Sequence, residues 1–436
     1  MAKRYRAYLP EQGLLLPPSL REWLPENHLV YFVSDVVDSL DLAAMDAVYG
    51  DEERGQPPYD PRRMTKVLVY GYCVGVYSSR RLERRLAEDV GFRVLAAGNQ
   101  PNFRTIADFR KLHLATLAGL FETVLKIALE AGALKLGRVA LDGTKVKANA
   151  SKHKALSYGR MEEKERQLRA EVRELLAQAA AADAEEDAQY GADQRGDELP
   201  AELQRRETRL KKIGEAKRAL EERARQQAEQ EGKPRAEVKQ AQPADKDQYN
   251  FTDPESRLIK GSDGWVQGYN AQAAVEPGLQ LIVGQSVTPA ANDKEQIAPM
   301  LQVIEHQSGQ RPAALLADSG YCSEKNLKYL ATTYPQIDAY IATGKQQHDE
   351  YRQPCPRGPL PTNATRVERM MRKLQTKAGR AVYAARKTIV EPVFGQIKEA
   401  RGFRHFLMRG LTKVKGEWAL VCLTHNILKL QRLCYQ

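Results

Sequence analysis

Two short apolar runs, far apart in the chain, each end on an aspartate. Val139-Ala140-Leu141 leads into Asp142, and Ala313-Ala314-Leu315-Leu316-Ala317 leads into Asp318. A run whose side chains are all apolar reads as a buried strand, and Gly137 and Gly143 bracket the first. Two such strands that deliver an Asp at the same end can set both carboxylates on one rim of a sheet, a metal site in outline. Asp142-Gly143 and Asp318-Ser319-Gly320 are also common turn sequences, because Asp bonds its own backbone and Gly accepts positive φ. A third element is needed to choose between the two readings.

That element runs from Tyr383 to Lys398. Val390, Val393, Phe394 and Ile397 form an apolar stripe at helical spacing, which ties the segment to a core. Glu391 and Lys398 are seven apart, so an α-helix sets them on one face two turns apart. The 436-residue chain has a formal net charge of +11, and Arg366 to Lys415 holds 14 Lys or Arg against 3 Asp or Glu, 14 − 3 = +11. The whole excess therefore surrounds Glu391. A basic stretch around a carboxylate argues for a polyanion brought to a metal site, although a solvated helix face would show the same count. Two Asp and one Glu are what phosphoryl transfer on nucleic acid requires: two divalent cations about 4 Å apart share hard oxygen ligands, one activating the attacking oxygen and one stabilising the leaving oxygen. Mg²⁺ suits such a site, since it takes few carboxylates and keeps water and phosphate oxygens; Mn²⁺ is the alternative.

With these residues in hand, the sequence resembles the DDE transposases of bacterial insertion sequences, nearest the group of insertion sequence eleven-eighty-two. The resemblance rests on Leu141-Asp142-Gly143-Thr144, Ala317-Asp318-Ser319-Gly320-Tyr321, and Glu391-Pro392-Val393-Phe394-Gly395 within Tyr383 to Lys398. Asp253 to Arg257, Gly264 to Gln272 and Asn102 to Arg110 also carry it, so it spans nearly the whole chain. It implies a ribonuclease H-like fold, catalysis by Asp142, Asp318 and Glu391, and a dimer on paired DNA ends. One departure stands out. The superfamily signature has three residues between its Arg and its Glu, whereas four separate Arg386 from Glu391 here and Lys387 stands at the three-residue gap.

Taken in order, residues 1–135 read as an all-α N-terminal domain for DNA binding. Asp60-Pro61 opens a helix with Met64, Val67, Leu68 and Tyr72 inward. Ser78 to Leu86 and Asn102 to Lys111 then read as two short basic helices joined by a Gly-containing turn, compatible with a helix-turn-helix or with a plain bundle. A longer helix with Leu114, Leu117, Phe121, Val124 and Ala128 closes the domain. The catalytic domain takes 136–156 and 248–410. Between them, 157–247 reads as an inserted antiparallel helical hairpin: Met161, Leu168 and Leu175 recur every seven, Leu203, Leu210, Ile213 and Leu220 form a second arm, Gly191 to Pro200 breaks the two, and Gly232 to Asp247 returns flexibly. A dimerising arm, a DNA-contacting arm and a passive spacer all remain open.

Tyr269 to Val275 and Leu281 to Val287 read as a strand pair around Glu276-Pro277-Gly278, followed by a helix from Asp293 to His306, a strand from Ile337 to Ala342 and a mobile loop from Gly344 to Asn363. Strands, hairpin and crossovers in this sequence give the order of a ribonuclease H-like α/β fold. Residues 411–436 form a closing helix on the catalytic domain. Candidate contacts to double-stranded DNA, at terminal inverted repeats and target, are Arg80, Arg81, Arg84, Arg104, Arg110, Lys145, Tyr383, Arg386, Lys387, Lys398, Arg401 and Arg404.

Five scattered cysteines give neither a disulfide framework nor a zinc knuckle, and His425 in an apolar helix reads as a core residue. Met1 to Arg6 carries no apolar signal core and Val67 to Ser79 is too short to span a bilayer, so the expected setting is the bacterial cytoplasm. The expected reaction is cleavage of element ends and joining of the 3′-OH to target DNA. A hydrolytic nuclease of the same fold and a non-catalytic DNA-binding regulator are the alternatives.

Overall fold

The structure, a computed structural model, describes residues 19–49, 57–190, 201–261, 264–344, 355–356 and 358–435. Helices come first: α1 (Leu29–Asp38), α2 (Ala43–Asp46), α3 (Pro61–Cys73), α4 (Ser79–Glu88), α5 (Val90–Leu95), α6 (Phe103–Leu112) and α7 (Leu114–Glu130). Asp60 caps α3 by accepting from the amides of Arg62 and Arg63, and Pro61 sits where its missing N–H costs nothing. Met64, Val67, Leu68 and Tyr72 are buried as the spacing predicts. The two basic helices α4 and α6 pack on each other. What joins them is more than a turn, for Asp89 caps the additional helix α5 through the amides of Gly91 and Phe92.

The sheet and its insertion follow: β1 (Arg138–Lys147), β2 (Ala155–Ser157), α8 (Tyr158–Tyr190), α9 (Ala201–Gln230), α10 (Arg235–Gln240), β3 (Gln248–Asn250), β4 (Arg257–Gly261), β5 (Gly264–Val275) and β6 (Ile282–Thr288). The chain continues through α11 (Ile297–Ser308), β7 (Ala314–Ala317), α12 (Glu324–Thr333), β8 (Asp338–Ile341), α13 (Arg366–Gln375), α14 (Lys377–Gly395) and α15 (Leu411–Cys434). β5, β1, β7 and β8 lie side by side; β1 is antiparallel to β5 and parallel to β7, β7 is parallel to β8, and β4 and β6 both pair antiparallel with β5. This is a mixed α/β protein with an N-terminal helical region.

The insertion is a helical hairpin, α8 against α9, rising from the small sheet β2–β3. Met161, Leu168, Ile213, Ala216 and Leu220 make its own core, separate from the main one. Lys217 meets Glu162 and Glu165 while Arg206 meets Glu171, so positions descend along one arm as they rise along the other. Leu175 is only half-buried and Leu176 is exposed, so the apolar seam thins away from the body. The expected break from Gly191 to Pro200 lies outside the described residues, as does much of the loop from Gly344 to Asn363.

Several details depart from expectation. The return from the hairpin includes α10, whose Val238 is buried. β1 runs on to Lys147, because β5 pairs with it past the end of β7, so Asp142 lies within a strand rather than at its end. α11 begins at Ile297, which leaves Asp293 in the preceding loop. The boundary expected near residue 135 is no gap in packing. One continuous core joins the helical region to the sheet, with α15 against α3, α7 and β6. Within it the Trp418 indole N–H donates to Gln272 O at 3.1 Å.

Candidate active site

The parallel register of β1 and β7 pairs Arg138 with Ala314 and Leu141 with Ala317. The next residue on each strand is an aspartate, so Asp142 and Asp318 stand side by side where β7 stops. Asp318 caps a 3-10 turn over Ser319–Tyr321, its Oδ1 accepting from Gly320 N at 2.8 Å. Asp142 Oδ1 accepts from Gly143 N at 2.8 Å. Burial raises the pKa of Asp142 to about 6, with the Arg386 guanidinium pulling it down and Asp318 pushing it further up. Burial also raises that of Asp318, against the Gly320 amide and Arg386.

The third acid arrives on α14, which packs on β1, β5, β7 and β8. Ile389, Val390, Val393 and Phe394 are its buried stripe. Pro392 lies inside this helix and cannot donate to Thr388 O; the Gln280 amide does so instead, at 3.0 Å. A π-helical turn, Gln396–Ala400, then widens the coil and changes the spacing expected between Glu391 and Lys398. Lys398 Nζ donates to Lys145 O at 2.9 Å and so braces β1.

Arg386 links the acids. Its Nη1 donates to Asp142 Oδ2 at 2.9 Å and its Nη2 lies 3.8 Å from Glu391 Oε1. The Arg386 side chain is 9% exposed and that of Glu391 is 55% exposed, so the helix brings an open carboxylate to the mouth of a closed pair. Burial disfavours the guanidinium's charge, but Asp142, Tyr383 and Asp318 more than offset it and hold its pKa above the usual value. Among the described residues no three Asp, Glu, His or Cys side chains are grouped to hold a metal ion as they stand. The acids converge around an internal cation.

A fourth carboxylate adjoins them. Asp293 Oδ1 accepts from Asn270 Nδ2 and Gln272 Nε2, each at 2.7 Å, and its Oδ2 lies 3.8 Å from Lys145 Nζ. Asn270 and Gln272 are fully buried on β5, opposite Lys145 and Gly143 of β1. A Cβ at Gly143 would meet the Gln272 amide, Asp293 Oδ1 at 2.7 Å and Asn270 Oδ1 at 2.8 Å; the glycine makes the room these groups fill. The sequence reading missed Asp293 by assigning it to a helix. The available signal was a strand carrying two amides, Asn270 and Gln272, at period two among apolar residues.

The donor set suits a hard divalent cation. It consists of carboxylate and amide oxygens, and the buried Asn270 Oδ1 has no hydrogen-bond partner. Two side-chain cations, Arg386 and Lys145, already answer the acids' field.

The candidate DNA contacts separate into two groups. Arg80, Arg81, Arg84, Arg104, Lys387 and Arg404 are exposed, and Tyr383 is half-buried. Arg80 lies over the Phe103 ring at 4.9 Å, which fixes the face shared by α4 and α6. The others are committed inward, contrary to expectation. Arg401 is buried and donates to Thr424 Oγ1 at 2.8 Å and Val421 O at 3.2 Å. Arg110 is buried on Tyr72 and the carbonyl of Tyr77. Lys145 and Arg386 face the acids, for a buried cation needs an opposite charge or a carbonyl and these were the partners in reach.

A family described as "Transposase DDE domain" matches residues 205–427, half of the chain, and one described as "Transposase domain (DUF772)" matches residues 18–112. The first match takes in Asp293, Asp318 and Glu391 and begins after Asp142, whose place beside Asp318 comes from the strand register. No curated protein and no solved structure matches the chain.

Proposed function

Because the chain belongs to the DDE transposases, metal-dependent DNA-cleaving enzymes, we propose that it cuts the ends of an insertion sequence and joins each freed 3′-OH to target DNA. The reading that the element is of the insertion sequence eleven-eighty-two group rests on the motif blocks around Asp142, Asp318 and Glu391. The strand order, with β1 at the junction of antiparallel and parallel halves, supports a ribonuclease H-like fold. The observation that carries the mechanism is the register pairing Leu141 with Ala317, which makes neighbours of Asp142 and Asp318, together with Arg386 bridging toward Glu391.

In this reading Asp142, Asp318 and Glu391 hold two Mg²⁺ ions. When bound, these supply Lewis-acid activation of the attacking oxygen and stabilisation of the leaving one. Hydrolysis and strand transfer are both in-line displacements at phosphorus, so one set of acids serves both. Lys387 and Tyr383 (on α14 with Glu391), Arg404 (beside Lys147 at the end of β1), and Arg80, Arg81, Arg84 and Arg104 on α4 and α6 hold the DNA backbone. The partners are double-stranded DNA at terminal inverted repeats and target, and a second copy of the chain on the paired end. The setting is the bacterial cytoplasm.

The test uses a labelled duplex bearing the element end with Mg²⁺. Asp142→Asn, Asp318→Asn and Glu391→Gln are each expected to lower cleavage roughly 100- to 1,000-fold while DNA binding persists, on the scale of removing a group that stabilises the transition state. A pre-cleaved end supplied with target plasmid distinguishes a transposase, which joins it, from a nuclease, which does not. Retention of cleavage by all three variants would sink the assignment.

A further inference from the structure

Asp293 is too well prepared to be a loop acid. β5 spends two fully buried amides on it, both on Oδ1. A neutral amide buried in a sheet costs free energy unless bonded, so this arrangement fixes one carboxylate oxygen and leaves the other toward the rim. That other oxygen, Oδ2, is 3.8 Å from Lys145 Nζ and 3.4 Å from where a Cβ of Gly320 would stand, beside Asp318.

Two buried atoms in the same place have no hydrogen-bond partner. Lys145 Nζ, shut off from solvent, donates to nothing and rests only on the charges of Asp293, Asp142 and Asp318. Asn270 Oδ1 accepts from nothing, though its residue is fully buried and its Nδ2 is in use. Lys145 and Asn270 are partners in the β1–β5 register and both approach Asp293, so an ammonium with three unused donors and an amide oxygen with unused lone pairs leave an incomplete arrangement around it. Replacing that ammonium by a divalent cation would complete it, because the cation accepts the oxygens that Lys145 leaves unmatched.

We propose that Asp293, through Oδ2, and Asn270, through Oδ1, are further ligands of the divalent-cation site, and that the Lys145 ammonium occupies that position until a cation displaces it. The inference rests on the reading of Asp142 and Asp318 as cation ligands and enlarges that set. Gly143 is the residue that permits it, since any side chain there would fall on Asp293 and both amides.

Mn²⁺ binding to the full chain without DNA, followed by the electron paramagnetic resonance of free Mn²⁺, tests this apart from activity. Asp293→Asn is expected to weaken binding at least ten-fold, with Asp142→Asn as the reference loss. Lys145→Met, which removes the competing ammonium, is expected to tighten it several-fold. Asn270→Ala keeps the Gln272 bond to Asp293 and serves if Asp293→Asn fails to fold; it too should weaken binding. Wild-type affinity in Asp293→Asn and Asn270→Ala, with the loss intact in Asp142→Asn, overturns the proposal and leaves the proposed function standing. Weaker binding in Lys145→Met also overturns it, since a lysine that merely braces the site would behave so. If Asp142→Asn binds as tightly as the wild type, the proposed function itself falls.

Discussion

Arg386 Nη1 lies 2.9 Å from Asp142 Oδ2, and the pair is closed to solvent on both sides, at 9% and 18% side-chain exposure. Residues 244 positions apart are thus the tightest charge contact at the rim. Carboxylates gathered at one rim are a concentration of like charge, and this guanidinium, with the Lys145 ammonium, offsets it.

Removing that partner should therefore destabilise the resting protein. Arg386→Met is expected to cost about 3 kcal/mol, in the range for stripping one member from a buried pair. The double variant with Asp142→Asn should lose less than the two single losses summed. Urea denaturation of the four proteins measures the coupling, and strict additivity would contradict the contact.

Gly143 tests the packing of the rim without removing a charge. Gly143→Ala sets a methyl on Asp293 Oδ1 and Asn270 Oδ1, at 2.7 and 2.8 Å. Overpacking of this kind costs ~1–3 kcal/mol. Cleavage should fall about 100-fold, on the scale of a ~1 Å displacement of reacting groups, while thermal melting shifts by only a few degrees. Unchanged turnover would mean that the rim tolerates the displacement.

The exposed and buried arginines predict opposite phenotypes. Arg80→Ala, Arg84→Ala and Arg104→Ala should each weaken duplex binding and reduce the slope of log affinity against log salt by about one. Arg401→Met should leave that slope alone and lower stability instead, because its guanidinium serves Thr424 and Val421 inside the core. Titrations at several salt concentrations, paired with melting curves, separate the two.

His425 gives the acid limb of stability a specific contributor. Burial lowers its pKa to about 3, helped by the nearby Arg401, while its Nε2 meets Gln280 O at 2.9 Å. The folded pKa lies below the ordinary 6.5, so the stabilisation is complete above pH 6.5 and lost as pH falls toward 3, at about 1.4 kcal/mol per unit. Between pH 7 and 5 the wild type should lose about 2 kcal/mol more than His425→Asn, read from urea midpoints. Parallel losses in both proteins would refute the assignment.

The strands were legible where hydrophobic pattern alone decides them. Val139 to Leu141 and Leu315 to Ala317 are buried on both sides of the sheet, so their apolar runs and the acids that follow stand out in the sequence. The N-caps at Asp60 and Asn102 were legible for the same local reason. What escaped depends on partners distant in sequence. The place of Asp293 depends on Asn270 and Gln272 standing opposite Lys145 and Gly143 of β1. The inward commitment of Arg401 depends on α15 lying beside it, and that of Lys145 on three acids from separate elements. A charged side chain looks the same in a sequence whether water or a carbonyl receives it.

Helix α15 leaves no hinge between the part that carries Arg80, Arg84 and Arg104 and the part that carries the acids, since both share its buried face. If the proposed function holds, a duplex gripped on α4 and α6 would reach the acids at a separation that the body itself sets. On the proposed function the protein would then work as a ruler: the offset between the phosphates it holds and the bond it breaks would be cast in one piece, and shifting that offset would require recasting α15 rather than lengthening a tether.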